Sequence, residues 1–96
     1  MKPIVLLRKA QVSKSEFARL TRFSRPTVHR WLEENTGPRR HTDAVFYKGI
    51  IESIEQCLVD KELPLPQNLP SVERDRRLKS MVRERFELED IQYLIA

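Results

Sequence analysis

Hydrophobic residues recur along this chain three and four positions apart, which is the spacing that gives an α-helix one buried face. No stretch alternates apolar and polar residues one by one, and no Asn-Gly or Asp-Gly hairpin signal is present. The pattern predicts an all-α fold. We expect helices over residues 3–10, two short helices within 13–32, a long helix over 43–59, another over 72–85, and a short final helix opened by Glu89 and Asp90.

Capping residues mark the starts of the two short helices. Ser13 is followed three positions later by Glu16, the spacing of a capping box, in which each side chain bonds the backbone N–H of the other residue. Ser24 is a second N-cap candidate, and Pro26 falls in the first turn of its helix, where a missing N–H costs nothing. Two helices of about two turns each are unstable alone. They must therefore pack on each other and on neighbouring helices.

Proline and glycine divide the chain into three parts. Residues 1–60 would form a helical domain in which Gly37 and Pro38 end the third helix, and Gly49 would allow another helix to approach closely. Residues 61–70 contain three prolines and are interpreted as a linker or extended arm. Residues 71–96, with Ser71 as a helix cap, would form a charged C-terminal helical tail that ends in apolar residues.

The stretch from Ser13 to Trp31 resembles the helix-turn-helix of the Cro and phage-repressor (XRE-like) family. The resemblance rests on the capped start at Ser13, Ala18 at the close helix contact, Phe23-Ser24 entering the second helix, and then Thr27-Val28 and Arg30-Trp31. It covers roughly the first 40 residues, extending weakly to the helix at 3–10 and to Gly37-Pro38. One departure is visible: the family usually carries glycine in the inter-helix turn, where φ is positive, and this chain has Arg22.

The resemblance implies that the second helix of this pair reads double-stranded DNA in the major groove. Arg25 and Arg30 are the candidates for guanine contacts, although either could instead clamp a phosphate. Trp31 is expected to pack in the core. The residues at the family's base-contacting positions are Arg25, Pro26, Thr27, His29 and Arg30. The expected phosphate contacts are Ser13, Lys14, Ser15, Arg22, Ser24, Arg39 and Arg40.

Charge is divided unevenly along the chain. Residues 1–40 hold ten Lys or Arg against three Glu, a net charge of +7. Residues 41–96 hold eight Lys or Arg against eleven Asp or Glu, a net charge of −3. The basic excess thus coincides with the segment that resembles a DNA reader, where it would supply the salt-sensitive part of binding.

Other functions find little support in the residues. No catalytic triad, paired carboxylates or glycine loop appears, and His29, His41 and Cys57 have no usable metal-ligand spacing, so we expect neither an enzyme nor a metal or other cofactor. The single cysteine cannot form an internal disulfide, which fits a reducing cytoplasm. No apolar run approaches the length of a membrane span.

One such module reads only a short stretch of DNA, so a homodimer on a palindromic operator is expected. The sequence therefore predicts a Cro-like phage or prokaryotic transcriptional repressor that occludes a promoter. The alternatives are an antitoxin-like module whose C-terminal half holds a protein partner, and a DNA-architecture factor. The helix at 43–59, the tail, or both would form the dimer interface, through Ile50, Ile54, Leu58, Met81, Phe86, Ile91, Leu94 and Ile95.

Overall fold

A computed structural model describes residues 1–86, and within that range every regular element is an α-helix, which confirms the all-α prediction. The predicted final helix at Glu89 and Asp90 lies outside the described residues. The five helices, in chain order, are α1 (Pro3–Ala10), α2 (Lys14–Thr21), α3 (Arg25–Glu34), α4 (His41–Val59) and α5 (Ser71–Arg85). None of them is long and apolar enough to cross a membrane.

The helix starts follow local sequence signals in most places. The capping box forms as predicted: Glu16 N donates to Ser13 Oγ at 3.0 Å, and Ser13 N donates to Glu16 Oε1 at 2.9 Å. Ser24 occupies the N-cap of α3, but its hydroxyl bonds no helix N–H. The prediction that Ser71 caps α5 is wrong, because Ser71 is the first helical residue and Pro70 precedes it as N-cap.

The core forms around α4, against which α1, α2 and α5 pack. The buried face of α4 includes Ser53 and Cys57, whereas Ile51 and Leu58 are half-buried. Ser53 tolerates burial because its hydroxyl donates to Gly49 O at 2.8 Å. The largest fully buried side chains are Phe17, Leu6, Ile50, Ile54, Leu78 and Val28.

Gly49 is the point of closest approach between α4 and the end of α5. A Cβ atom at this position would lie 2.6 Å from Cε1 of Phe86 and 2.9 Å from its Cζ. Phe86 can therefore rest against the α4 backbone only because residue 49 has no side chain. The expected close approach at Gly49 is thus made by the ring that follows α5.

The segment at 61–70 is non-helical, as its prolines predicted, but it is more than a linker. Leu63 and Leu65 are buried in the core, whereas Pro64 and Pro66 are exposed. Buried leucine and exposed proline therefore alternate along residues 63–66. Since α5 then packs on α2 and α4, the residues from 1 to 86 share one core.

Candidate nucleic-acid interface

The turn between α2 and α3 is three residues long and forms without glycine. Arg22 takes the left-handed conformation, with φ 64° and ψ 4°, and its N–H donates to Ala18 O at 3.0 Å. The buried Thr21 hydroxyl donates to the same carbonyl at 2.8 Å and accepts from Phe23 N at 3.2 Å. These bonds hold the entry to α3 in place while the Arg22 side chain remains exposed.

The inner face of α3 packs against aromatic rings. Val28 and Leu32 are buried, and Trp31 is half-buried, less enclosed than the core position expected from its spacing. The Trp31 ring meets Phe23 and Tyr47 edge-on, each at a centroid distance of 5.3 Å. Burial raises the pKa of the Tyr47 phenol to about 12. This packing fixes the rotation of α3 about its own axis and therefore determines which side chains face outward.

Arg25, Pro26 and Arg30 are exposed on the outer face of α3. Arg25 and Pro26 are its first two residues, and Arg30 follows more than one turn later. Both guanidinium groups are thus presented to solvent from the same short helix. An arginine fork in this setting can donate two parallel hydrogen bonds to a planar acceptor such as a guanine edge or a phosphate.

Thr27 and His29 are less open than the resemblance implied. Thr27 is half-buried, and its hydroxyl accepts a hydrogen bond of 2.6 Å from Ser24. His29 is also half-buried, and its Nε2 is buried without a hydrogen-bond partner among residues 1–86. Since Nε2 is closed to solvent, only Nδ1 of this ring could meet an external group. Of the five residues predicted to contact bases, the exposed ones are therefore Arg25, Pro26 and Arg30.

Among residues 1–86, the arginines expected to contact DNA form no ion pair with a carboxylate. Within the described part of the chain, none of them lies within 4.0 Å of a carboxylate. All five are also exposed. They are Arg22, Arg25, Arg30, Arg39 and Arg40.

Most basic residues beyond position 40 form ion pairs with carboxylates of the described chain. Five of the eight Lys and Arg residues beyond position 40 pair with carboxylates, as in the contacts of Arg85 with Asp60 at 3.0 Å and with Glu62 at 2.6 Å. Among the ten in residues 1–40, only Lys14 and Arg19 pair with a carboxylate of the described range, 1–86. Cations without a carboxylate neighbour in that range are therefore concentrated in the N-terminal half.

The predicted phosphate contacts at the start of α2 are partly occupied by the protein itself. The Ser13 hydroxyl is used in the capping box, and Ser15 is half-buried. The Lys14 ammonium lies 3.6 Å from Glu33 at the end of α3. An exposed pair of this kind is worth little, about 0.2–1 kcal/mol, so Lys14 can exchange Glu33 for another anion.

Two residues of α5 that the sequence reasoning missed fix the position of α2. The guanidinium of Arg74 donates from Nε to Glu16 Oε2 at 2.9 Å and from Nη2 to Gln11 O at 3.0 Å. Asp75 accepts two bonds from Arg19, at 2.8 and 3.1 Å. Burial of Glu16 opposes its ionisation, but the bonds from Arg74 and Ser13 outweigh burial and hold its pKa below the ordinary value. The partners are 58 and 56 positions apart, so no local signal marks them.

The predicted dimer contacts need correction at two positions. Ile50 and Ile54 are 1% and 0% exposed, so in this fold they are core residues and cannot form a surface between subunits. Leu58, Met81 and Phe86 are half-buried. Ile91, Leu94 and Ile95 lie outside the described residues.

Comparison with known proteins found no matching family model, curated protein or solved structure. Among residues 1–86, no group of three His, Cys, Asp or Glu side chains is placed to hold a metal ion. The chemistry offered by the α2–α3 surface is hydrogen-bond donation and positive charge.

Proposed function

We propose that this chain is a sequence-specific regulator of transcription that binds double-stranded DNA with α3 in the major groove. The observation that carries the proposal is the state of Arg25 and Arg30. Both are exposed on α3, and neither has a carboxylate partner among residues 1–86. A helix with free arginine forks, held at a fixed rotation by its packed inner face, meets the requirements for reading base edges.

Other parts of the chain would position the duplex. Arg22 in the turn, and Arg39 and Arg40 directly before α4, carry exposed charges suited to phosphates on either side of the groove. Such contacts add affinity without reading sequence. Arg25 and Arg30 would carry the specificity, with Pro26 offering apolar surface to a thymine methyl group.

Two copies would bind a palindromic operator, because one short helix covers too few bases to select a single site. Occupying such an operator blocks access of RNA polymerase to the promoter, so the proposed mechanism is repression by steric exclusion. Since Ile50 and Ile54 are core residues, any contact between the copies must use other side chains.

Selection of bound fragments from random duplex DNA tests the proposal. We expect the native protein to enrich a palindromic motif, and the logarithm of its affinity to fall with the logarithm of salt concentration with a slope of several units. Arg30→Ala should relax the preference at one base position in each half-site. Arg39→Ala should weaken all sequences alike and lower the salt slope by about one.

Arg83 provides a matched control, since it is exposed on α5 and also lacks a carboxylate partner within residues 1–86. Arg83→Ala should leave both motif and slope unchanged. No enriched motif together with a slope near zero would rule out DNA as the ligand. An unchanged motif for Arg30→Ala would remove Arg30 from the base-reading set.

A further inference from the structure

Four half-buried aromatic rings form a row of pairwise contacts. The row begins at Phe86, runs to Phe46 on α4 at 5.9 Å, to Phe23 in the α2–α3 turn at 6.0 Å, and to Trp31 on α3 at 5.3 Å. Each ring is partly open to solvent, and Val45 beside Phe46 is 38% exposed. We call these four residues the aromatic row. Exposed apolar surface beside charged residues is often a binding site for another segment or molecule.

The chain itself continues from one end of the aromatic row. Phe86 follows α5 directly, rests on Gly49, and is succeeded by ten more residues, 87–96. Ten residues reach about 15 Å as a helix, which is long enough to follow the first two ring-to-ring steps, from Phe86 through Phe46 to Phe23. Its apolar residues Leu88, Ile91 and Ile95 recur at a spacing that would place them on one helical face.

The charge of residues 87–96 also favours their binding to the aromatic row. Residues 87–96 contain Glu87, Glu89 and Asp90 and no Lys or Arg. Phe23, in the far part of the aromatic row, has Arg22 directly before it and Arg25 two positions after it in the chain, and neither arginine has a carboxylate within 4.0 Å among residues 1–86. The segment thus combines an apolar face for the rings with acidic side chains for the neighbouring guanidinium groups.

We propose that residues 87–96 dock on the aromatic row of their own chain, with Leu88, Ile91 and Ile95 against the rings and the acidic side chains towards Arg22 and Arg25. Docking covers the apolar strip without a second subunit. It also places negative charge beside the candidate DNA interface, so the segment competes with DNA phosphates. This competition, unlike the docking itself, rests on the proposed function.

A spin label at the chain end tests the docking without DNA. Ala96→Cys gives the label a site, and Cys57 should not compete for it because it is fully buried and its thiol pKa is raised by that burial. Mass spectrometry of the native chain after the same treatment checks that Cys57 stays unlabelled. We expect the nitroxide to broaden the NMR signals of Phe23 and Phe46, and Leu88→Ser/Ile91→Ser in the labelled chain to weaken that broadening.

The source of the occupant is tested by mixing. When spin-labelled chains without isotope are added to isotope-labelled chains without a spin label, we expect no broadening. Broadening in the mixture would overturn the proposal in favour of a second copy of the chain. Equal broadening with and without the two serines would overturn it by showing that the segment does not dock.

The competition has a separate measurement. Glu89→Gln/Asp90→Asn should tighten binding to duplex DNA by roughly two- to five-fold at low salt, as expected for the loss of exposed ion pairs. Gln92→Ser, in the same segment, should leave affinity unchanged. If docking is seen but affinity does not change in the charge variant, competition is excluded while docking stands. If no variant binds DNA, the proposed function fails and the spin-label result is unaffected.

Discussion

At the scale of single residues, helix ends in this chain depend on left-handed conformations taken by residues other than glycine. Gln11, Arg22 and Asn35 follow α1, α2 and α3 with φ of 55°, 64° and 55°. A side chain in this region costs roughly 1–2 kcal/mol, although asparagine tolerates it better. Arg22 takes this strained conformation and also carries an exposed charge beside α3. The arginine therefore adds positive charge to the surface but destabilises the turn.

Replacing Arg22 by glycine should therefore separate the two contributions. Arg22→Gly relieves the backbone strain, and we expect the free energy of unfolding to rise by up to about 1 kcal/mol, partly offset by the greater freedom of glycine in the unfolded chain. Urea denaturation measures the change. Asn35→Gly is the matched control and should change stability less, because asparagine is already tolerated there. A loss of stability in Arg22→Gly would contradict the proposed strain.

At the scale of elements, the sequence predicted what local signals determine. The capping box at Ser13, the stop after α3 and the apolar stripes depend on neighbours within about four positions, so spacing reveals them. The burial of Leu63 and Leu65 does not, because proline content reports local backbone geometry and says nothing about what covers a side chain. The inward turn of His29 Nε2 likewise depends on neighbouring elements. Sequence thus located α3 and its arginines but overestimated the open face.

The hydrogen bonds from Arg74 on α5 to Glu16 and to Gln11 O join α5 to α2, and we call them the brace. The brace is the main feature at this scale that residue spacing could not predict. Arg74 is largely buried, with a side-chain exposure of 16%, and it joins Glu16 to Gln11 O. We expect Arg74→Ala to lower the free energy of unfolding by about 2–3 kcal/mol, since it leaves a charged, poorly solvated acceptor without its partner. Arg76→Ala is the control, because the Arg76 side chain is 75% exposed and pairs with Glu73 at the surface. It should lower the free energy of unfolding by less than about 0.5 kcal/mol. Equal losses in the two variants would contradict the brace.

Acid should release this brace. Because the pKa of Glu16 is lower in the folded chain than its ordinary value of 4.5, its carboxylate stabilises the fold above that value, and this contribution is lost as pH falls through the folded pKa. We expect the free energy of unfolding of the native chain to decline more steeply below pH 4.5 than that of Glu16→Gln. Urea denaturation at a series of pH values measures both curves. Parallel curves would show that Glu16 is not held ionised by Arg74 and Ser13.

At the scale of the whole molecule, unpaired positive charge within residues 1–86 is concentrated around α3, as basic residues are concentrated in the first part of the sequence. Acidic and basic side chains of α5 and the segment before it neutralise one another, whereas the exposed arginines around α3 are left free within residues 1–86. A polyanion that binds this surface should bind the folded chain and stabilise it by mass action.

Duplex DNA should therefore raise the melting temperature at low salt. At a DNA concentration about 100 times Kd the gain is about 2.7 kcal/mol, which corresponds to a rise on the order of 10 °C for a chain of this size. Arg25→Ala/Arg30→Ala should reduce the rise, while Lys79→Ala/Arg83→Ala, which removes two exposed cations of α5, should not. Calorimetry measures all three. An equal reduction in both double variants would indicate diffuse attraction to net charge.

The alternation of buried leucines with exposed prolines after α4 has a consequence for how the molecule can be divided. A fragment ending at residue 60 would keep all of α1 to α4 yet lose Leu63, Leu65 and the buried residues of α5, Leu78 and Val82. It would open a hydrophobic gap along the longest helix. The half of the chain that carries α3 is therefore not a detachable module, and any chimera that borrows α3 must carry the chain through α5 with it.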